Sequence, residues 1–146
     1  MVVSFFGHRD TPRTIKPLLE QTVQRLIFEN KDIKFLVGTH GAFDLMVQSV
    51  LSRVSEWYPS ISCYVVLSYI PVGEDRKTYD LPTLVPEGIE SVPKRFAISF
   101  SNKYMVDECN TVVCYIDRDW GGAAQFVEKA RKQGKTIINL ADTDNL

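Results

Sequence analysis

A glycine pair set between a β-branched run and an amphipathic segment, Trp120-Gly121-Gly122-Ala123-Ala124-Gln125, is how a backbone builds a phosphate cradle. Free N–H groups and the positive end of the helix dipole then face one anion. Without Cβ atoms, the two glycines let those N–H groups approach an oxyanion closely. The chain makes a similar turn twice more: the run 2–6 ends in Gly7-His8-Arg9, and the run 35–37 ends in Gly38-Thr39-His40-Gly41, with Asp44 just beyond. Three strand ends that break into glycine before a helix would gather several helix N-termini at one edge of one sheet. That edge is the candidate site.

The side chains around these turns have definite chemical uses. A planar guanidinium at Arg9 can fork onto a phosphate or carboxylate, and an imidazole at His8 can donate or accept near neutral pH. The other reading of the pair is a surface loop in which His8 caps the next helix. Gly38 and Gly41 close a tight turn that leaves Asp44 in the first turn of a helix, where it either complements the dipole or accepts a ribose hydroxyl. Asp117 and Asp119 read as solvated loop carboxylates, whereas Trp120 either stacks on a base or covers the core. His40 is a second imidazole near the site, but two histidines without matching carboxylate or cysteine spacing do not make a metal centre. No metal or other cofactor is expected, and no Ser-His-Asp or Cys-His arrangement is arguable.

The elements that must position these residues follow from periodicity. The segment 2–6 is short, apolar and partly β-branched, as strands buried on both faces of a parallel sheet are. Over 14–29, Ile15, Leu18, Leu19, Val23, Leu26 and Ile27 recur at helical spacing, with Pro17 in the first turn. A second strand is predicted over 34–37 and a second helix over 42–57, with Leu45, Met46, Val50, Leu51 and Val54 on its inner stripe. The third strand is predicted over 62–69. The stretch 71–93 carries Pro71, Pro82, Pro86 and Pro93 without sustained periodicity, so it reads as a long loop forming a lid or wall over the strand ends. A helix over 95–110 would turn Phe96, Phe100, Tyr104 and Met105 inward. A fourth strand (111–116), a last helix (122–132) and a fifth strand (135–140) complete the chain, with Gly134 as the helix stop. Strands alternating with helices over short links predict an α/β, Rossmann-like three-layer sandwich with a mostly parallel five-stranded sheet.

Composition narrows the function classes. With 146 residues and 45% hydrophobic content, the chain reads as a single domain over 1–146. A net charge of −1 leaves no electrostatic footprint for duplex nucleic acid or an anionic membrane. Cys63, Cys109 and Cys114 are odd in number and lie in apolar surroundings without CxxC spacing, which reads as reduced buried thiols and a cytoplasmic setting. The start of the sequence lacks the pattern of a signal peptide, and no run of about 18 apolar residues is present to span a bilayer.

Gly7-His8-Arg9 after the first strand, Gly38-x-x-Gly41-x-x-Asp44 after the second, Asn102-x-x-Met105 in the third helix and Gly121-Gly122 after the fourth strand together resemble the SLOG superfamily. That group takes its name from the DNA-processing Smf proteins and the LOG cytokinin-activating phosphoribohydrolases. The resemblance runs over nearly the whole chain and looks closest to small stand-alone bacterial and phage members. It implies a Rossmann-like fold and a nucleotide or nucleotide-derived ligand held by the glycine turns, sensed or processed there, with Asn102 added to the site.

The phosphoribohydrolases carry Pro-Gly-Gly-x-Gly-Thr-x-x-Glu. The stretch from Trp120 to Glu128 keeps the glycine pair and the Glu position but loses the Pro, the third Gly and the Thr. Related sequences also tend to have Arg where this chain has Ser101. Glu128 is therefore the candidate catalytic carboxylate of an alternative reading, an N-glycoside hydrolase acting on a nucleoside monophosphate; its other reading is a solvated helix carboxylate. A single-stranded nucleic-acid binder is a third reading, which the near-neutral charge disfavours. The expected partners are a nucleotide-derived small molecule and, as an open option, further copies of the chain.

Overall fold

Strand β1 (Val2–Gly7) is apolar on both faces because it runs through the middle of a sheet. Val3 and Phe5 join one buried cluster and Phe6 joins another on the opposite face. In the computed structural model, residues 1–71 and 78–143 are described. After β1 come a 3₁₀ turn (Arg13–Ile15) and α1 (Lys16–Glu29), β2 (Lys34–Val37), α2 (Gly41–Trp57) and β3 (Ser62–Val66). They are followed by β4 (Thr83–Leu84), a 3₁₀ turn (Lys94–Phe96) leading into α3 (Ala97–Glu108), β5 (Thr111–Tyr115), α4 (Gly122–Lys132), β6 (Thr136–Asn139) and a short α5 (Leu140–Thr143).

The sheet runs β4-β3-β2-β1-β5-β6, with every pairing parallel. On one face, α1 and α2 contribute Leu19, Val23, Val47 and Val50 to a core with Phe35 and Val37. On the other, α3 and α4 bring Met105, Val106, Phe126 and Val127 against Leu36, Val112 and Cys114. This is a Rossmann-like three-layer arrangement. From β1 the chain first builds outward through β2, β3 and β4, then returns to place β5 on the other side of β1. The topological switch point therefore lies between β1 and β5, where Gly7 pairs with Tyr115.

Among the described residues the sheet has six strands rather than the expected five. The sixth is β4, inside the stretch read as a plain loop: Val65 N–H donates to Pro82 O at 2.9 Å and Leu67 N–H to Leu84 O at 2.8 Å. A two-residue strand carries no periodicity of its own and exists only because β3 offers an edge. Residues 72–77 of the proposed lid lie outside the described residues. Two inward assignments fail: Leu45, beside the stripe that α2 buries, is 62% exposed, and Phe96, in the 3₁₀ turn ahead of α3, is 51% exposed. Strand β3 stops at Val66, short of the expected 62–69.

The three cysteines are buried and free, and burial pushes the Cys63 and Cys114 thiols up to about 12, so none is an ionised nucleophile near neutrality. Among the described residues no helix is long and apolar enough to cross a membrane.

Candidate functional site

At the carboxyl end of β1 the backbone must pass under the first turn of α2. A Cβ on Gly7 would lie 2.2 Å from Cγ of Phe43, so only glycine lets Phe43 seat there. Gly41 enters α2 with φ of +89°, and Ala42 N–H donates to Arg9 O at 2.9 Å. The start of α2 is thus tied to the loop after β1, and Gly41 serves that seam rather than lining a cavity. His8 lies under the same loop, 5% exposed, its carbonyl accepting from the Thr11 hydroxyl at 2.7 Å.

Asp44 is buried at the start of α2. It reaches back along α2, and its Oδ2 accepts from the His40 backbone N–H at 2.9 Å, closing the helix start as the returning half of a capping box does. A Cβ on Gly38 would come within 2.8 Å of that oxygen. Burial pushes the Asp44 carboxyl up to about 7, opposed by the His40 N–H. Gln48 Nε2 donates to Gly38 O at 2.8 Å and holds the end of β2.

The turn between β5 and α4 is built differently. Gly121 caps α4 with φ of +100°, a conformation that side-chain-bearing residues rarely adopt, and offers no side chain to the first-turn N–H groups. Around Gly122 nothing lies within 4 Å of where a Cβ would be. Trp120 is 65% exposed, which removes the reading of it as a core cover, and the Arg118 guanidinium sits 4.7 Å over its ring.

These elements enclose a cleft of about 330 Å³ at the switch point. It is lined by Gly7, His8, Arg9, Gly38, His40, Asp44, Asn102, Met105, Arg118, Trp120, Gly121 and Gly122, with Phe5, Phe6, Ile98 and Ala123. Nine of the sequence-derived candidates (Gly7, His8, Arg9, Gly38, Asp44, Asn102, Trp120, Gly121 and Gly122) therefore share one cavity, and His40 joins them. Two do not. Gly41 supports Arg9 from behind, and Glu128 stands on the half-exposed flank of α4 in an ion pair with Arg131 at 2.6 Å. Helical spacing turns Glu128 away from the glycine pair, so the catalytic candidate is displaced from the cleft. Ser101 is buried, its hydroxyl donating to Leu67 O at 3.1 Å, and ties α3 to the end of β3.

Arg118 is the charged lining residue that sequence reasoning missed. Within Asp117-Arg118-Asp119 it reads as one charge of a solvated loop. The fold brings Asp10 across to it: Nη2 donates to Asp10 Oδ1 at 2.7 Å, while Nη1 is 3.4 Å from Asp117 Oδ1. His8 Nε2 also stands 3.4 Å from Asp117 Oδ1. Burial, then the Arg118 charge, lower the His8 pKa, against the pull of Asp117 and Asp10. Among the described residues no group of three His, Cys, Asp or Glu side chains is placed to hold a metal ion.

In the wider set of known proteins, the chain is similar to the X-ray structure of DNA processing protein A (DprA) from Streptococcus pneumoniae. The TM-score is 0.66 with 15% sequence identity, covering 92% of this chain and 48% of that one. This chain thus spans about half the length of that protein, and the likeness is one of fold. No family model matches the chain, and no curated protein matches it.

Proposed function

We propose that the chain binds a nucleotide or nucleotide-derived small molecule in the cleft between β1 and β5, as a sensor or processor of that ligand, and that it belongs with the SLOG proteins its motifs resemble. One observation carries the reading. Glycine at 122 is required neither by backbone conformation, since its φ is not positive, nor by packing, since a Cβ there would meet nothing within 4 Å. It opens α4 onto the cleft where a phosphate would accept from the first-turn N–H groups. The fold shared with DNA processing protein A supports the same choice, because open α/β sheets bind ligands at this switch point.

The hydrolase reading is weaker, since Glu128 faces away from the cleft. Nucleic acid stays the third reading: the fold neighbour's title favours it and the net charge of −1 opposes it.

Two measurements test the proposal. Mass spectrometry of small molecules retained by the purified protein identifies the ligand class. Calorimetric titration then compares wild type with Gly122→Val, whose affinity should fall on the order of 100-fold, about 2.7 kcal/mol, because the new side chain occupies the phosphate space. Unchanged affinity in a folded Gly122→Val protein refutes the reading.

A further inference from the structure

Among the described residues two buried side-chain nitrogens have no hydrogen-bond partner, His8 Nε2 and Arg118 Nε. Buried polar groups in proteins are nearly always paired, so each such orphan calls for an explanation. These two come from chain segments 110 residues apart, line the same cleft and flank the same carboxylate, with His8 Nε2 and Arg118 Nη1 each 3.4 Å from Asp117 Oδ1. The His8–Asp117 contact, at 3.4 Å, is too poorly directed to count as a hydrogen bond. On Arg118, Asp10 takes the edge made by the two terminal nitrogens, at 2.7 and 3.4 Å, and the Nε edge stays open.

We propose that His8, Arg118 and the first turn of α4 form a phosphate subsite, with His8 Nε2–H and Arg118 Nε–H each donating to one oxygen of the phosphate. This rests on the nucleotide reading of the cleft and deepens it: Arg118 becomes the residue that selects for the phosphorylated form of the ligand. A tetrahedral phosphate presents oxygens in three directions, which suits two side-chain donors and the uncapped N–H groups beyond Gly121. A planar carboxylate cannot reach all three. Asp10 and Asp117 contact Arg118, and Asp117 also His8; they offset the Arg118 charge, so the site selects directed acceptors over bare negative charge. Trp120, stacked by the same guanidinium at 4.7 Å, places an optical reporter beside it.

The test titrates inorganic pyrophosphate, and each common ribonucleoside monophosphate beside its parent nucleoside, into wild type, Arg118→Gln, Arg118→Lys and His8→Phe, by calorimetry and tryptophan fluorescence. Circular dichroism confirms that each variant is folded. Wild type should bind pyrophosphate. Arg118→Gln and His8→Phe should each weaken it on the order of tenfold, as loss of a charge-assisted or buried donor does. Arg118→Lys should recover little of that affinity, because lysine keeps the charge but not the Nε–H edge. For the nucleotide that binds, its advantage over the nucleoside should shrink by a similar factor in Arg118→Gln. Wild type that ignores pyrophosphate, or folded variants that bind it as wild type does, overturn the subsite. Pyrophosphate binding that depends on Arg118, with no nucleoside or monophosphate bound, upholds the subsite and removes the nucleotide reading. Nucleotide binding indifferent to Arg118 and His8 does the reverse.

Discussion

The glycines at the ends of β1 and β2 and those between β5 and α4 look alike in sequence and have different physical origins. Gly7, Gly38 and Gly41 are glycines because other protein atoms occupy the space: Phe43 at 2.2 Å, the Asp44 carboxylate at 2.8 Å and the Arg9 Cα at 2.7 Å from where a Cβ would stand. Gly121 and Gly122 have no such neighbours, and only Gly121 adopts a conformation that calls for glycine. One side of the cleft is a packed seam and the other is open to a guest.

Substitution on each side separates the two origins. The largest effect is expected at Gly7→Ala, where the clash with Phe43 pushes against a closed core and removes more than about 3 kcal/mol, at the upper end of overpacking penalties. Chemical denaturation measures it, and a loss below about 1 kcal/mol would mean that the seam is softer than its geometry.

Next comes Asp44, whose carboxyl is raised from its ordinary value to about 7 by burial. A raised folded pKa makes the contribution fully present below the unfolded pKa and lost as pH rises through 7. Across roughly pH 4 to 7, Asp44→Asn should therefore remove a fall in stability on the order of 3 kcal/mol. The lowered pKa of His8 acts oppositely, so the informative quantity is the difference between wild type and Asp44→Asn at each pH. Parallel stability curves for the two proteins would show that the carboxyl is not held neutral.

A smaller loss, about 1–2 kcal/mol, is expected for Gly41→Ala from its positive φ, before any shift of Arg9. Gly122→Val belongs to the other side: its unfolding free energy should stay within about 0.5 kcal/mol of wild type, as surface changes free of special geometry do, even as affinity is lost. A drop comparable to that of Gly7→Ala would erase the distinction between seam and cradle. The smallest effect is at Glu128. Glu128→Gln breaks only an exposed pair with Arg131 and should leave ligand affinity and stability unchanged, with no base release from a nucleoside monophosphate by either protein. Base release by wild type that Glu128→Gln abolishes would restore the hydrolase reading.

Much of the architecture was legible because local rules suffice for it. Mostly apolar runs such as Val2 to Phe6, interrupted by Ser4, and Phe35 to Val37 mark strands buried on both faces, and the stripe through Leu19, Val23 and Leu26 marks a helix lying on them. The glycine turns were legible as turns for the same reason, since backbone conformation is a local property. The sixth strand was not, because Thr83 and Leu84 are extended only where β3 presents an edge.

What the amino-acid sequence determined by itself was the order of the longer strands and helices, the Rossmann-like layering and the set of glycines at the strand ends, all consequences of periodicity and of residue types with restricted or released backbones. What only the tertiary structure decided was the meaning of individual side chains. Asp44 turned inward to cap its own helix, Glu128 fell on the outer flank of α4, and Trp120 stood in solvent under a guanidinium. Arg118 became part of the cleft because the β1–β5 pairing carries Asp10 across 108 residues of chain to meet it. Burial and long-range pairing set those outcomes, and neither is encoded in the spacing of neighbouring residues.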